Sequence, residues 1–190
     1  MWQAFLVSTG VVALGEIGDK TQLLALLLAA RFRKPVPIIL GILVATLANH
    51  AGASALGNWI TRTIDPQWMR WVLGASFLAV AVWMLIPDKV DEVKAHDTGR
   101  LGVFGITTVA FFLAEMGDKT QIATVMLAAK FDSLWVVTAG TTLGMMIANV
   151  PAVLLGDRVM DWLPVKWVHR IAAAVFAVLG VLVLAGLGSQ

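Results

Sequence analysis

The sequence predicts an all-α membrane protein of six transmembrane helices in two inverted three-helix repeats, with both termini outside. Three observations carry this: the apolarity of the chain, the number of its apolar runs, and a register of 99 residues at which the first half recurs as the second. Of 190 residues, 59% are hydrophobic and 14% charged, and the mean hydropathy is +0.84. A soluble domain of this size needs far less apolar surface. The formal net charge of +2 is spread over short basic clusters between apolar runs, as loops at a bilayer surface carry it, so no nucleic-acid partner is implied. Cysteine is absent, which excludes thiolate metal sites, disulfides and cysteine nucleophiles.

Apolar runs lie near residues 2–30, 35–60, 67–86, 101–129, 134–156 and 166–187. Each is long enough to cross a hydrocarbon core of about 30 Å. The first lacks a basic leading region and carries Glu16 and Asp19 in its middle, so it reads as a retained helix and not a cleaved signal. Arg31-Phe32-Arg33-Lys34-Pro35, Asp65-Pro66, Pro87-Asp88 and Leu163-Pro164 punctuate the runs with charge and helix-breaking proline. The longest polar segment, 88–100, is expected to be a cytoplasmic linker between a first repeat at 1–87 and a second at 101–190.

An ungapped offset of 99 aligns the halves, and Glu16 to Phe32 matches Glu115 to Phe131 at 10 of 17 positions. The same offset pairs Gly41 with Gly140, Gly57 with Gly156, Trp68 with Trp167 and Phe77 with Phe176. Three crossings per half, an odd number, place the second copy upside down relative to the first. Outside the motifs, loops 1-2, 3-4 and 5-6 carry nine Lys and Arg (Arg31, Arg33, Lys34, Lys89, Lys94, Arg100, Arg158, Lys166, Arg170) against three on the other side (Arg62, Arg70, Lys130). The positive-inside rule then sets both termini outside. Trp2, Trp59, Trp68, Trp135, Trp162 and Trp167 fall near span ends, where an interfacial belt belongs.

The chemistry lies in Glu16-Ile17-Gly18-Asp19-Lys20-Thr21 and Glu115-Met116-Gly117-Asp118-Lys119-Thr120, each halfway along a span. A central Asp or Lys costs roughly 2.5–3.5 kcal/mol on the insertion scale, so six such groups facing lipid would cost on the order of 15–20 kcal/mol. They are therefore expected to face inward and meet. Glu, Asp and Lys at these spacings share one helix face, so each motif is expected to present a compact charged patch; Gly15, Gly18 and Gly117 permit either close helix approach or a local break. Glu16, Asp19, Glu115 and Asp118 are the candidate metal ligands, with Lys20 and Lys119 as charge partners. Four carboxylates and two lysines leave −2, which one divalent cation neutralises; on its departure the site is expected to take up about two protons. Thr21, Gln22, Thr120, Gln121, His50 and its offset partner Asn149 are candidates for further ligation or coupling. Oxygens with one imidazole suit manganese(II), and oxygens alone suit calcium equally. The plainer alternatives are an ion-pair network holding helices together for the acids, and helix packing for His50, Asn149 and the Thr and Gln residues.

Both motifs resemble those of a family of small membrane proteins with two copies of Glu-x-Gly-Asp-(Lys/Arg)-(Thr/Ser). That family spans bacterial manganese exporters and Golgi and chloroplast calcium/manganese-proton antiporters. The resemblance covers essentially the whole chain. It implies cation transport with Glu16, Asp19, Glu115 and Asp118 as binding acids, manganese(II) as cargo with calcium as the alternative, protons or sodium as the coupling ion, no resident cofactor, and a multi-pass place in a bacterial inner membrane. Three rival classes remain at this point, the last of them a structural membrane scaffold, which leaves the central charges unexplained. An exporter of amino acids or small organic cations would want a larger, partly apolar pocket. An intramembrane aspartyl protease also uses two Gly-Asp pairs, but it explains neither Glu16 nor Glu115, and the chain has no tyrosine for the Tyr-Asp partner.

Overall fold

A computed structural model of the chain describes residues 1–86, 102–156 and 165–186. Among them are eight helices and no strand: α1 (Trp2–Glu16), α2 (Lys20–Phe32), α3 (Pro35–Thr63), α4 (Pro66–Trp83), α5 (Gly102–Glu115), α6 (Lys119–Phe131), α7 (Leu134–Leu155) and α8 (Val165–Leu184). The linker expected at 88–100 lies outside the described residues, as do Arg158, Trp162 and the Leu163-Pro164 punctuation.

Helix starts follow local chemistry. Proline stands in the first turn of α3 and of α4, where its missing N–H has no partner to lose, and Asp65 caps α4 by accepting from Gln67 N at 3.0 Å. Helices α2 and α6 end on left-handed residues, Arg33 (φ 51°) and Asp132 (φ 44°), that turn the chain into α3 and α7.

Apolar clusters fill much of the interior, around Phe77, Leu127 and Phe176 and around Ile38, Ile42 and Phe111, but α3 and α7 also bury polar residues while exposing apolar ones, the reverse of a soluble helix. On α3, Leu40, Val44, Leu47 and Leu56 are exposed whereas Thr46, Asn49, His50 and Ser54 are buried. On α7, Leu143, Ile147 and Leu154 face out and Thr138, Thr141 and Asn149 face in. Pro35–Thr63, Leu134–Leu155 and Val165–Leu184 are each long and apolar enough to cross a membrane. Trp2, Trp59, Trp68, Trp135 and Trp167 are all exposed.

Close contacts recur in pairs under the offset of 99. Gly41 on α3 lies against Phe104 O and Thr107 of α5; Gly140 on α7 lies against Phe5 O and Ser8 of α1. A Cβ at either glycine would come within 2.8 Å of its neighbour, so only glycine lets these backbones approach. Phe77 and Phe176, offset partners, meet each other at 6.3 Å between ring centroids where α4 packs on α8.

The runs expected as single helices at 2–30 and 101–129 are each two helices, interrupted at 17–19 and 116–118. Gly18 (φ 82°) and Gly117 (φ 75°) adopt the left-handed region that only glycine enters freely, so the helical phase is lost there. The expectation that Glu, Asp and Lys share one helix face therefore fails, and the local break is the alternative the chain adopts.

Candidate metal site

Each break is built the same way. Glu16 ends α1, Gly18 turns the chain, and Asp19 stands at the start of α2 in extended geometry (φ −79°, ψ 168°); Glu115, Gly117 and Asp118 (φ −82°, ψ 164°) repeat this before α6. The Asp N–H groups reach back to the Glu carbonyls, at 3.1 Å for Asp19 and 3.2 Å for Asp118. An aspartate in this position usually caps the following helix with its own oxygen. Neither does so here. The glutamine three residues on closes the turn instead: Gly18 N donates to Gln22 Oε1 at 2.8 Å and Gly117 N to Gln121 Oε1 at 2.7 Å. The two carboxylates therefore stand, without capping, at helix N-termini whose dipoles favour negative charge.

Both breaks are braced against the opposite motif's neighbouring helix. Gln22 Nε2 donates to Ala148 O of α7 at 2.8 Å, and Gln121 Nε2 to Asn49 Oδ1 of α3 at 3.4 Å, while Asn49 Nδ2 donates to Phe112 O at 3.0 Å.

The breaks bring three of the four expected acids together. One carboxylate oxygen each from Glu16, Asp19 and Asp118 lie within 4.8 Å of one another, and all three residues are buried. Lys20 joins this group from the first motif, its Nζ 3.0 Å from Asp118 Oδ1 of the second. Glu115 stands beside the group. Its Oε2 accepts from Thr120 Oγ1 at 3.4 Å, and the same hydroxyl lies 3.5 Å from Asp118 Oδ2. Thr21 Oγ1 donates to Glu16 Oε2 at 2.6 Å, the matching contact in the first motif. Glu16 Oε1 and Glu115 Oε1 are both buried without a hydrogen-bond partner. Buried oxygens left without a partner are costly unless a cation or proton meets them.

The remaining expected residues divide. His50 is fully buried with its Nε2 3.9 Å from Glu115 Oε2. Asn149 bonds within its own helix, Nδ2 to Met145 O at 3.1 Å and Sδ at 2.9 Å, leaving Oδ1 unpartnered. Gln22 and Gln121 spend their oxygens on the glycine amides. Lys119 is buried and donates to Ile86 O at 3.1 Å. Residues that the sequence reading did not single out also matter: Asn49 completes a brace, Val165 covers Gly18, and His169 Nε2 lies 2.9 Å from Ile17 O. Asn49 was detectable as a second polar residue next to His50 inside an apolar run. The contacts of Val165 and His169 with a motif about 150 residues away carry no local signal.

A family model described as "Divalent cation/proton antiporter GDT1" matches residues 4–92 and 103–189, stretches whose starts are themselves 99 apart. Among relatives, a Vibrio cholerae protein named "Putative manganese exporter" is 52% identical over 90% of this chain and 84% of its own length. A GDT1-like protein of Synechocystis sp. is 30% identical over 93% of this chain and 94% of its own. "Protein PAM71-homolog, chloroplastic" of Arabidopsis thaliana is 25% identical over 92% of this chain and 57% of that protein. No solved structure matches. The protease alternative falls, since the family so matched is one of transporters. With both motif-bearing stretches covered, the chain belongs to the GDT1 family of divalent cation/proton antiporters, and is a membrane cation transporter, not an enzyme.

Proposed function

We propose that this protein exports divalent metal cations, manganese(II) foremost, from a bacterial cytoplasm across the inner membrane in exchange for protons. The observation that carries the reading is the buried meeting of Glu16, Asp19 and Asp118, contributed by both motif breaks, within 4.8 Å. Lys20 offsets one of the three charges, and the unpartnered oxygens of Glu16 and Glu115 are placed to receive either a cation or a proton. The name of the Vibrio cholerae relative supports manganese(II) as cargo and a bacterial setting.

In this reading the chain crosses the bilayer six times, with repeats at 1–87 and 101–190 inverted about a midplane site and both termini outside. The matched helix bounds and the paired contacts of Gly41 and Gly140 support an approximate two-fold relation. Interrupted helices at the centre of a span are the usual way a transporter presents acids and backbone to an ion without exposing them to lipid. Rocking of one half against the other would present Glu16, Asp19, Glu115 and Asp118 to the cytoplasm and then to the outside. Cation binding neutralises a site of net −2; about two protons replace the ion when it leaves. Thr21 and Thr120 orient the glutamates, Gln22 and Gln121 hold the breaks, and Lys20 and Lys119 are the internal cations.

Calcium remains a second cargo, because the three gathered groups are all carboxylates, a donor set calcium accepts as readily. The test is manganese(II) flux into proteoliposomes under an imposed pH gradient, with calcium as competitor. Flux that follows the gradient and is lost in Glu16→Gln and Glu115→Gln is the expected result. Gradient-independent flux, or flux that survives both substitutions, would refute proton exchange at this site.

A further inference from the structure

The four acids do not form one uniform cage. Glu16, Asp19 and Asp118 gather their oxygens, whereas Glu115 faces the imidazole of His50. We infer that His50 and Glu115 form a mixed imidazole–carboxylate position, adjoining the three-carboxylate position, that favours a first-row transition dication over calcium. The inference rests on the cation-exchange reading above and adds its selectivity-determining residue.

The geometry has three parts. First, His50 is wholly buried, and neither ring nitrogen has a hydrogen-bond partner among the described residues. A buried imidazole normally satisfies at least one nitrogen, and a histidine that binds metal uses one nitrogen as a lone-pair donor. Second, its Nε2 lies 3.9 Å from Glu115 Oε2, and Glu115 Oε1 is buried without a partner. Two donors held about 2.1 Å from one ion stand roughly 3 to 4.2 Å apart as the angle between them opens, so this pair is spaced for a shared cation. Third, the Thr120 hydroxyl touches both Glu115 and Asp118, placing the pair directly next to the three-carboxylate group.

Spacing alone admits calcium too, whose longer bonds allow a wider pair. Donor chemistry decides. Calcium takes oxygen ligands, whereas manganese(II) and its heavier neighbours accept imidazole nitrogen, and their affinity gains from it. The offset partner of His50 is Asn149, so only one motif acquires this donor and the two halves of the site are chemically unequal.

The experiment is pulsed electron paramagnetic resonance of manganese(II) bound to the purified full chain, paired with manganese(II) and calcium titrations. Wild-type protein is expected to show modulation from a directly bound nitrogen that changes when histidine is supplied isotopically labelled. In His50→Gln the modulation should disappear, and the ratio of manganese(II) to calcium affinity should fall by at least about tenfold. The wild-type spectrum requires no variant to fold. Bound manganese(II) that depends on Glu16 yet shows no histidine nitrogen would overturn the inference and leave cation exchange standing. An unchanged affinity ratio in folded His50→Gln would do the same. Absence of any saturable manganese(II) binding would remove the inference together with the exchange reading beneath it.

Discussion

The two motif breaks share their sequence, backbone turn and glutamine closure, yet they sit in different surroundings. At the first, Val165 packs over Gly18, His169 reaches the Ile17 carbonyl, and Glu16 and Asp19 both join the carboxylate group. At the second, no described residue would meet a side chain added at Gly117, Met116 is exposed, and among the described residues only Asp118 joins the group, with Glu115 turned toward His50. The lysines diverge as well: Lys20 crosses to Asp118, and Lys119 donates to Ile86 O. The lesson is that a six-residue motif dictates its own fold, while the helices packed on it dictate its chemistry.

That contrast can be broken at several points. The largest effect is expected at Glu16, which supplies an oxygen to the carboxylate group and is held by Thr21: Glu16→Gln should reduce manganese(II) exchange in proteoliposomes by more than about a hundredfold, and Thr21→Val by a smaller factor. Equal losses would mean that the hydroxyl matters as much as the carboxylate. Next come the glycines. Alanine in the left-handed region costs about 1–2 kcal/mol at either break, but at Gly18 the new methyl also runs into Val165. Gly18→Ala should therefore lower the thermal unfolding midpoint in detergent clearly more than Gly117→Ala; the opposite order would mean that the first break is not packed as described.

A smaller difference separates the glutamines. Gln22 is buried and makes two short bonds, so Gln22→Ala should cost about 1–3 kcal/mol by leaving the Ala148 carbonyl and the Gly18 amide unmet. Gln121 is only half-buried and its second bond is 3.4 Å long, so Gln121→Ala should cost less in the same unfolding measurement. The smallest effect is at His169, where alanine removes one half-buried bond to Ile17 O, worth about 0.5–1.5 kcal/mol. A loss of stability there larger than at Gln22 would place the main restraint on α8 and not on α7.

Much of this was legible in the residues. The cost of charge inside an apolar run required Glu16, Asp19, Glu115 and Asp118 to face inward, and all four are buried; glycine inside each motif announced that the helix was able to break. Whether it did break was not legible: Gly18 and Gly117 allow both outcomes, and the choice is made by a positive φ that Gln22 and Gln121 stabilise from the next turn. Once the helix is interrupted, spacing of three or four residues ceases to mean a shared face, which is why the pairing of Lys20 with an acid of the other motif was invisible in its own sequence. The same holds for His50 and Glu115. They lie far apart in the chain, and only the packing of α3 on α5 and α6 makes them neighbours. Likewise, the polar stripe of α3 was readable as Thr46, Asn49, His50 and Ser54, but its partners are fixed by tertiary structure.

The central claim is that acids from both motifs bind one cation. Its most direct test is the equilibrium manganese(II) affinity of Asp118→Asn, a variant that leaves the first motif untouched. Because Asp118 shares the carboxylate group with Glu16 and Asp19, the affinity should fall by at least about tenfold, together with the rate of exchange. Wild-type affinity in that variant would mean that each motif binds alone, and the shared site described here would be wrong.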